Sequence, residues 1–176
     1  MKEEENITIH KEVSKKNPIF MKYFCERNIF HDCGLEKIDY QPMNGILDIF
    51  VNLDLFEEIE STKNTAQIRF SRILDIKFEN YPWNLVNEKD LKKCSWKDFL
   101  IPKHIRKTSS FSYCIFDHSE HNDFAIKKIK KECFKATIIF DNWIHIVLTF
   151  IDLTIKLPEK INERKMFKIY DAYWRT

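Results

Sequence analysis

Apolar and polar residues alternate with a period of two in several long runs along the chain, and two of these runs echo each other. Ile68-Arg-Phe-Ser-Arg-Ile-Leu-Asp-Ile-Lys-Phe78 has a counterpart in Leu148-Thr-Phe-Ile-Asp-Leu-Thr-Ile-Lys-Leu157. Each holds an alternating stretch, a short polar interruption and a second alternating stretch. A period of two puts successive side chains on opposite faces, so the pattern predicts long strands, half buried and bent at the interruption. A duplicated hairpin and two unrelated strands of one sheet both account for the echo.

The other elements follow from the same reading. The first 15 residues are polar and predict a loosely packed segment ahead of a domain over 16–176. Asn17-Pro18 opens a helix over 18–26, with Ile19, Phe20, Tyr23 and Phe24 at helical spacing. Residues 28–34 read as a loop, Leu35 to Tyr40 as a strand, and Gln41 to Gly45 as a hairpin turn. Ile46 to Leu53 is a strand with Leu47, Ile49, Val51 and Leu53 on one face and Asp48, Phe50 and Asn52 on the other. An acidic connector over 54–64 leads to a strand over 66–78, bent at Ser71-Arg72. Residues 80–87 read as a loop and 88–100 as a helix that Pro102 ends. Phe111 to Phe116 is a strand, 118–122 a loop, and 124–131 a short helix or connector. Phe134 to Phe140 and Trp143 to Leu157 form a hairpin around Asp141-Asn142. Met166, Ile169, Tyr170 and Tyr173 mark a C-terminal helical face, although a strand fits that segment too. The sum is a single α+β domain: a curved, largely antiparallel sheet of six or seven strands with two or three short helices. Leu47, Ile49, Val51, Leu53, Ile68, Phe70, Ile138, Phe140, Ile146, Leu148 and Phe150 are the expected core.

Composition narrows the class. With 176 residues, 44% hydrophobic and 32% charged, the chain suits one globular domain. No apolar run reaches the roughly 18 residues of a membrane span, and the N-terminus lacks a signal-like apolar stretch, so a cytoplasmic protein without a membrane segment is expected. Five cysteines without paired spacing suggest reduced thiols. The net charge of +2 hides an asymmetry. Residues 1–90 carry 12 Lys and Arg against 17 Asp and Glu, while the remainder carries 17 against 10. Opposed charge steers charged partners if it also segregates in space, and otherwise solvates the surface.

Four clusters bear on chemistry. Phe30-His31-Asp32-Cys33 places a thiol beside an imidazole and a carboxylate, the makings of a thiolate pair. Neighbouring residues diverge, however, and a loop whose His and Asp bond to the backbone fits better. His118 and His121, with Glu120 between them, have the spacing for a shared metal but lack a third ligand, so no metal and no cofactor are expected. Lys127, Lys128, Lys130 and Lys131, with Phe124 nearby, suit a nucleic-acid surface that the modest pI disfavours; a solvated connector suits them better. Asp54, Glu57, Glu58 and Glu60, extended by Asp48, form an acidic patch able to receive a basic protein surface.

The Phe30-His-Asp-Cys33 loop, the run Leu35-Glu-Lys-Ile-Asp-Tyr40, the run Ile46 to Leu53 and the Ile68 strand together resemble a set of small bacterial proteins. These open with a Phe-His-Asp loop followed by alternating strands. Among them are immunity proteins of polymorphic toxin and contact-dependent growth inhibition systems. The resemblance covers residues 29–78. It implies a cytoplasmic binding protein, not an enzyme, that occludes a cognate toxin domain, and it supplies no catalytic residue. On that basis Asp48, Asp54, Glu57, Glu58 and Glu60 are the expected partner contacts. The alternatives are a nucleic-acid module using the basic run 127–135, and a small metal- or thiol-dependent hydrolase using His31, Cys33, His118 and His121.

Overall fold

A computed structural model describes residues 19, 21–25, 27–56, 64–79, 110–140 and 144–175. Within them lie eight strands: β1 (Gly34–Gln41), β2 (Ile46–Asn52), β3 (Thr65–Ser71), β4 (Asp75–Glu79), β5 (Phe111–His118), β6 (Phe134–Phe140), β7 (Ile144–Phe150) and β8 (Asp152–Lys156). Two α-helices accompany them, α1 (Asn122–Ile129) and α2 (Glu163–Tyr173). A π-helical turn at Met21–Cys25 and a 3-10 turn at Pro42–Asn44 complete the set. The loop over 80–87, the helix over 88–100, the Asp141-Asn142 turn and the N-terminal 15 residues lie outside the described residues.

The strands pair antiparallel into two four-stranded sheets, ordered β1-β2-β3-β8 and β4-β7-β6-β5. The two echoing runs explain how one fold holds both. The run through Ile68 supplies β3 to the first sheet and β4 to the second. The run through Leu148 supplies β7 to the second and β8 to the first. Each run hydrogen-bonds to the other, Ile68 opposite Ile155 in one sheet and Ile76 opposite Leu148 in the other. The two break at the same level. Ile151 interrupts one and Arg72, at φ 55°, turns the other. Leu74 N–H donates to Thr149 O at 2.8 Å across the corner. Arg72 and Lys131 both face the Asp152 carboxylate there. Counting each bent run as one strand gives six strands, within the predicted six or seven; a single curved sheet becomes two because both long strands fold over together. Gly34 also bridges Ser110, bringing the outer strands β1 and β5 together at one point.

The inner faces enclose one contiguous core. All eleven residues expected there are buried. Register supplies the reason: Leu47 stands opposite Tyr40 and Phe70, and Ile49 opposite Ile38 and Ile68, so one period-two phase runs across the sheet. Phenylalanines fill the middle. Phe150 meets Phe70 edge-on with centroids 4.9 Å apart, and Phe111 meets Phe140 at 5.4 Å. The C-terminal segment is a helix rather than a strand. Asn162 caps α2 by accepting the Lys165 N–H at 2.9 Å, and Met166 and Ile169 are buried one turn apart.

Gly45 closes the 3-10 turn at φ 59°, and its carbonyl accepts the Ile73 N–H at 3.0 Å, docking the turn on the bend. A Cβ there would stand 3.3 Å from Ile73 N. Gly45→Ala therefore meets both a left-handed backbone and a crowded neighbour, and should lower stability by about 1–2 kcal/mol. Urea denaturation measures it; an unchanged midpoint would contradict the tight turn.

Candidate partner-binding face

The Phe30-His31-Asp32-Cys33 loop divides its residues between core and solvent. Two reverse turns shape it: His31 N–H donates to Asn28 O, and Cys33 N–H to Phe30 O, both at 3.0 Å. Asn28 and Asp32 both sit at positive φ, 40° and 62°. Asn and Asp tolerate such angles better than other non-glycine residues, and contacts with the neighbouring strand fix them. Here β5 imposes them: Asp32 N–H donates to Phe111 O and Phe111 N–H to Cys33 O, both at 2.8 Å, while the Asn28 amide donates to Ser112 O at 2.9 Å. Phe30 goes inward, stacked on Tyr23 with centroids 5.9 Å apart, and Cys33 is fully buried. His31 and Asp32 turn outward, with Nδ1 2.9 Å from the carboxylate.

That division decides the thiol's chemistry. Burial pushes the Cys33 pKa up to about 12, and the Asp32 charge adds to it. The thiol stays protonated at neutral pH, the opposite of what a nucleophilic cysteine requires. Cys114 and Cys133 are also free and buried. His118 is exposed at the end of β5, and His121 opens α1 with Glu120 3.8 Å away. Among the described residues, no three His, Cys, Asp or Glu side chains group to hold a metal ion.

The end of α2 is fastened beside the His31 loop. Arg27 lies with its guanidinium 4.8 Å from the Phe167 ring and its Nε 3.2 Å from Asp171 Oδ1; Lys22 reaches Glu163 at 2.8 Å. Burial, with a smaller contribution from Glu163, pushes the Tyr23 pKa up to about 12. Burial also raises that of Tyr170, Asp171 adding and Arg27 opposing. Both phenols stay neutral. Trp174 ends the helix with its ring 5.9 Å from His31 and 5.2 Å from Tyr173. Tyr173 in turn meets buried Phe56 edge-on at 5.4 Å. Tyr173 and Trp174 remain 39% and 48% exposed.

Phe56 ties this aromatic end to the acidic segment. Leu53 N–H donates to Asn64 O at 2.8 Å, closing the base of the segment. Asp54 is exposed there, its two carboxylate oxygens accepting from the Asn52 and Asn64 amides at 2.8 Å. Glu57, Glu58 and Glu60 lie outside the described residues. Asp48 requires a correction: it does not extend an acidic surface. Its residue is 2% exposed, and Arg69 grips it with two hydrogen bonds of 2.7 and 2.8 Å. It does face away from the core, as the alternation predicts. But Arg69 stands directly opposite on β3 and folds over it, while Lys37 stacks on neighbouring Phe50 at 5.6 Å. Lys127, Lys128, Lys130 and Lys131 are all exposed on and just after α1.

The contribution of Tyr173 and Trp174 is not legible in the sequence. Tyr173 belongs to the apolar face that the spacing of Met166, Ile169 and Tyr170 predicts, but Trp174 lies outside that pattern, and only the fold shows that both stay partly open. No helix among the described residues is long and apolar enough to cross a membrane. No family model matches the chain, and no curated protein matches it. Among solved structures it is similar to an uncharacterized protein from Neisseria gonorrhoeae, with 17% identity over 73% of this chain and 94% of that one and a TM-score of 0.35.

Proposed function

We propose that this chain is a cytoplasmic immunity protein that binds a cognate toxin domain and neutralises it by occlusion. The observation that carries the reading is the aromatic end of α2: Tyr173 and Trp174, both partly exposed, with Tyr173 against Phe56 and Trp174 against Tyr173 and His31. Protein interfaces concentrate their energy in such Trp and Tyr anchors, with charge around the rim. Asp32 and Asp54 supply described rim charges, and Glu57, Glu58 and Glu60 follow Asp54 in the chain. The proposed partner contact centres on Trp174.

The test is protection. Co-expression with a toxin domain encoded beside it should rescue a sensitive cell, and Trp174→Ala should weaken binding about 30-fold, or ~2 kcal/mol. Reversing Glu57 and Glu58 to Lys should slow association more than it speeds release, because rim charge acts on encounter. Failure to protect while both proteins are soluble would sink the role. An association rate unchanged at low salt would remove the acidic segment alone.

A further inference from the structure

We propose that β8 is a self-association edge: a second copy of this chain adds its own β8 there, antiparallel, about a two-fold axis through Thr154. Among the described strands, β1, β8, β4 and β5 end the two sheets. An unpaired edge is a template for another strand unless something blunts it. β1 and β5 are blunted. Each carries a register shift, between Leu35 and Lys37 and between Phe111 and Tyr113, and the Gly34–Ser110 bridge draws the two together. β4 and β8 keep a regular register over all five residues.

Charge separates these two. When a strand pairs antiparallel with its own copy, each residue stands opposite its mirror about the centre. Centred on Lys77, β4 would set Lys77 against Lys77 and Asp75 against Glu79, like charges throughout. Centred on Thr154, β8 sets Asp152 against Lys156 twice, Leu153 against Ile155 twice, and Thr154 against itself. Asp152, Thr154 and Lys156 share the outer face, so two ion pairs flank a threonine pair on one side of the joined sheet. Buried Leu153 and partly buried Ile155 extend its inner face.

Both charged residues are placed to use this register. Lys156 is exposed and stands opposite uncharged Gln67 in its own sheet, with no ion-pair partner among the described residues. Asp152 meets Arg72 and Lys131, yet its side chain keeps 41% exposure. Joining two such edges makes one eight-stranded sheet from two four-stranded ones. A ladder of five residues buries far less than the roughly 800 Å² per partner of a stable dimer, so the association is weak and grows with concentration. The inference does not rest on toxin binding, and either can fail alone.

The test is sedimentation velocity of the full chain over about 5–200 µM, which should show monomer at the low end and a rising dimer fraction toward the high end. Hydrogen exchange over the same range should slow in the peptide covering 152–157. Lys156→Glu sets like charges opposite each other at both symmetric contacts and should weaken the dimer about tenfold. Lys168→Glu makes the same charge change at an exposed position of α2 and should leave the dimer within about twofold. Unchanged thermal melting confirms that both variants fold. The proposal is overturned by a chain that stays monomeric throughout, by a dimer indifferent to Lys156→Glu, or by a dimer that leaves exchange over 152–157 unchanged. A monomer in which those amides slow only when a co-encoded toxin domain is added would assign the edge to that partner instead.

Discussion

Phe150→Ala should destabilise the protein by about 3–5 kcal/mol, the range for removing a fully buried aromatic side chain. Phe150 is fully buried at the last position of β7, immediately before the corner where that run passes into the first sheet. Its ring meets Phe70 at 4.9 Å, Phe134 at 6.1 Å and Phe116 at 6.4 Å. Those three come from three different strands, and Phe70 belongs to the other sheet. The ring therefore fills the place where the two sheets are held together, and the strands around it are too constrained by their ladders to close the gap. Urea denaturation followed by far-UV circular dichroism measures the loss. Phe124→Ala serves as the control: it removes the same ring from an exposed position and should shift stability by less than about 0.5 kcal/mol. A Phe150 deficit below about 1.5 kcal/mol would mean that the corner repacks and that the sheets do not depend on this residue.

The corner itself was legible in the sequence. Two runs with the same interruption predict two bent strands, and the polar residues in the interruptions, Arg72 and Asp152, meet across the bend. Their pairing with each other was not legible, because a period of two fixes which face a side chain occupies and not which strand lies alongside. The eleven core positions came from alternation alone, since burial of one face is what alternation records. Asp48 shows where that reasoning stops. Its place on the outer face was predicted, and outward normally means solvated. Whether a neighbouring side chain then covers it depends on register, which set Arg69 opposite.

The candidate face divides in the same way. The Phe-His-Asp-Cys run was visible as a unit, yet two left-handed residues split it, with Phe30 and Cys33 inward and His31 and Asp32 outward. Left-handed angles at Asn and Asp leave only a weak trace in sequence. Trp174 and Tyr173 reach His31 and Phe56 across more than a hundred residues of chain. No local pattern could bring those together; the docking of α2 does.

Arg69→Met should cost about 2–4 kcal/mol at neutral pH, more than removing the residue it grips. Asp48 is 2% exposed, whereas the Arg69 side chain is 43% exposed. Taking away the arginine leaves a buried carboxylate with Gln67 as its remaining hydrogen-bond donor and Lys37 as the nearby cation. Taking away the carboxylate, as in Asp48→Leu, leaves a guanidinium that can turn to water, so that variant should lose much less. The magnitude sits at or below the usual range for a broken buried pair because Arg69 is itself partly solvated. The two variants also differ in pH dependence. In the native protein burial raises the Asp48 pKa, but the hydrogen bonds from Arg69 and Gln67 and the charges of Arg69 and Lys37 outweigh it, and the net shift is downward. A depressed folded pKa gives stability that is complete above the unfolded carboxylate's value, about 4, and is lost as pH falls through the lower folded value. In Arg69→Met burial is opposed by Gln67 and Lys37 without the arginine, so the folded pKa rises from its native value. The stabilisation that Arg69 supplies is then missing while the carboxylate is charged and ceases to matter as it protonates. Its deficit against the native protein should therefore be largest near pH 7 and shrink toward pH ~4. Denaturation midpoints of both proteins at the two pH values decide the matter, and a deficit that is constant or grows on acidification would show that Asp48 does not depend on Arg69 for its charge.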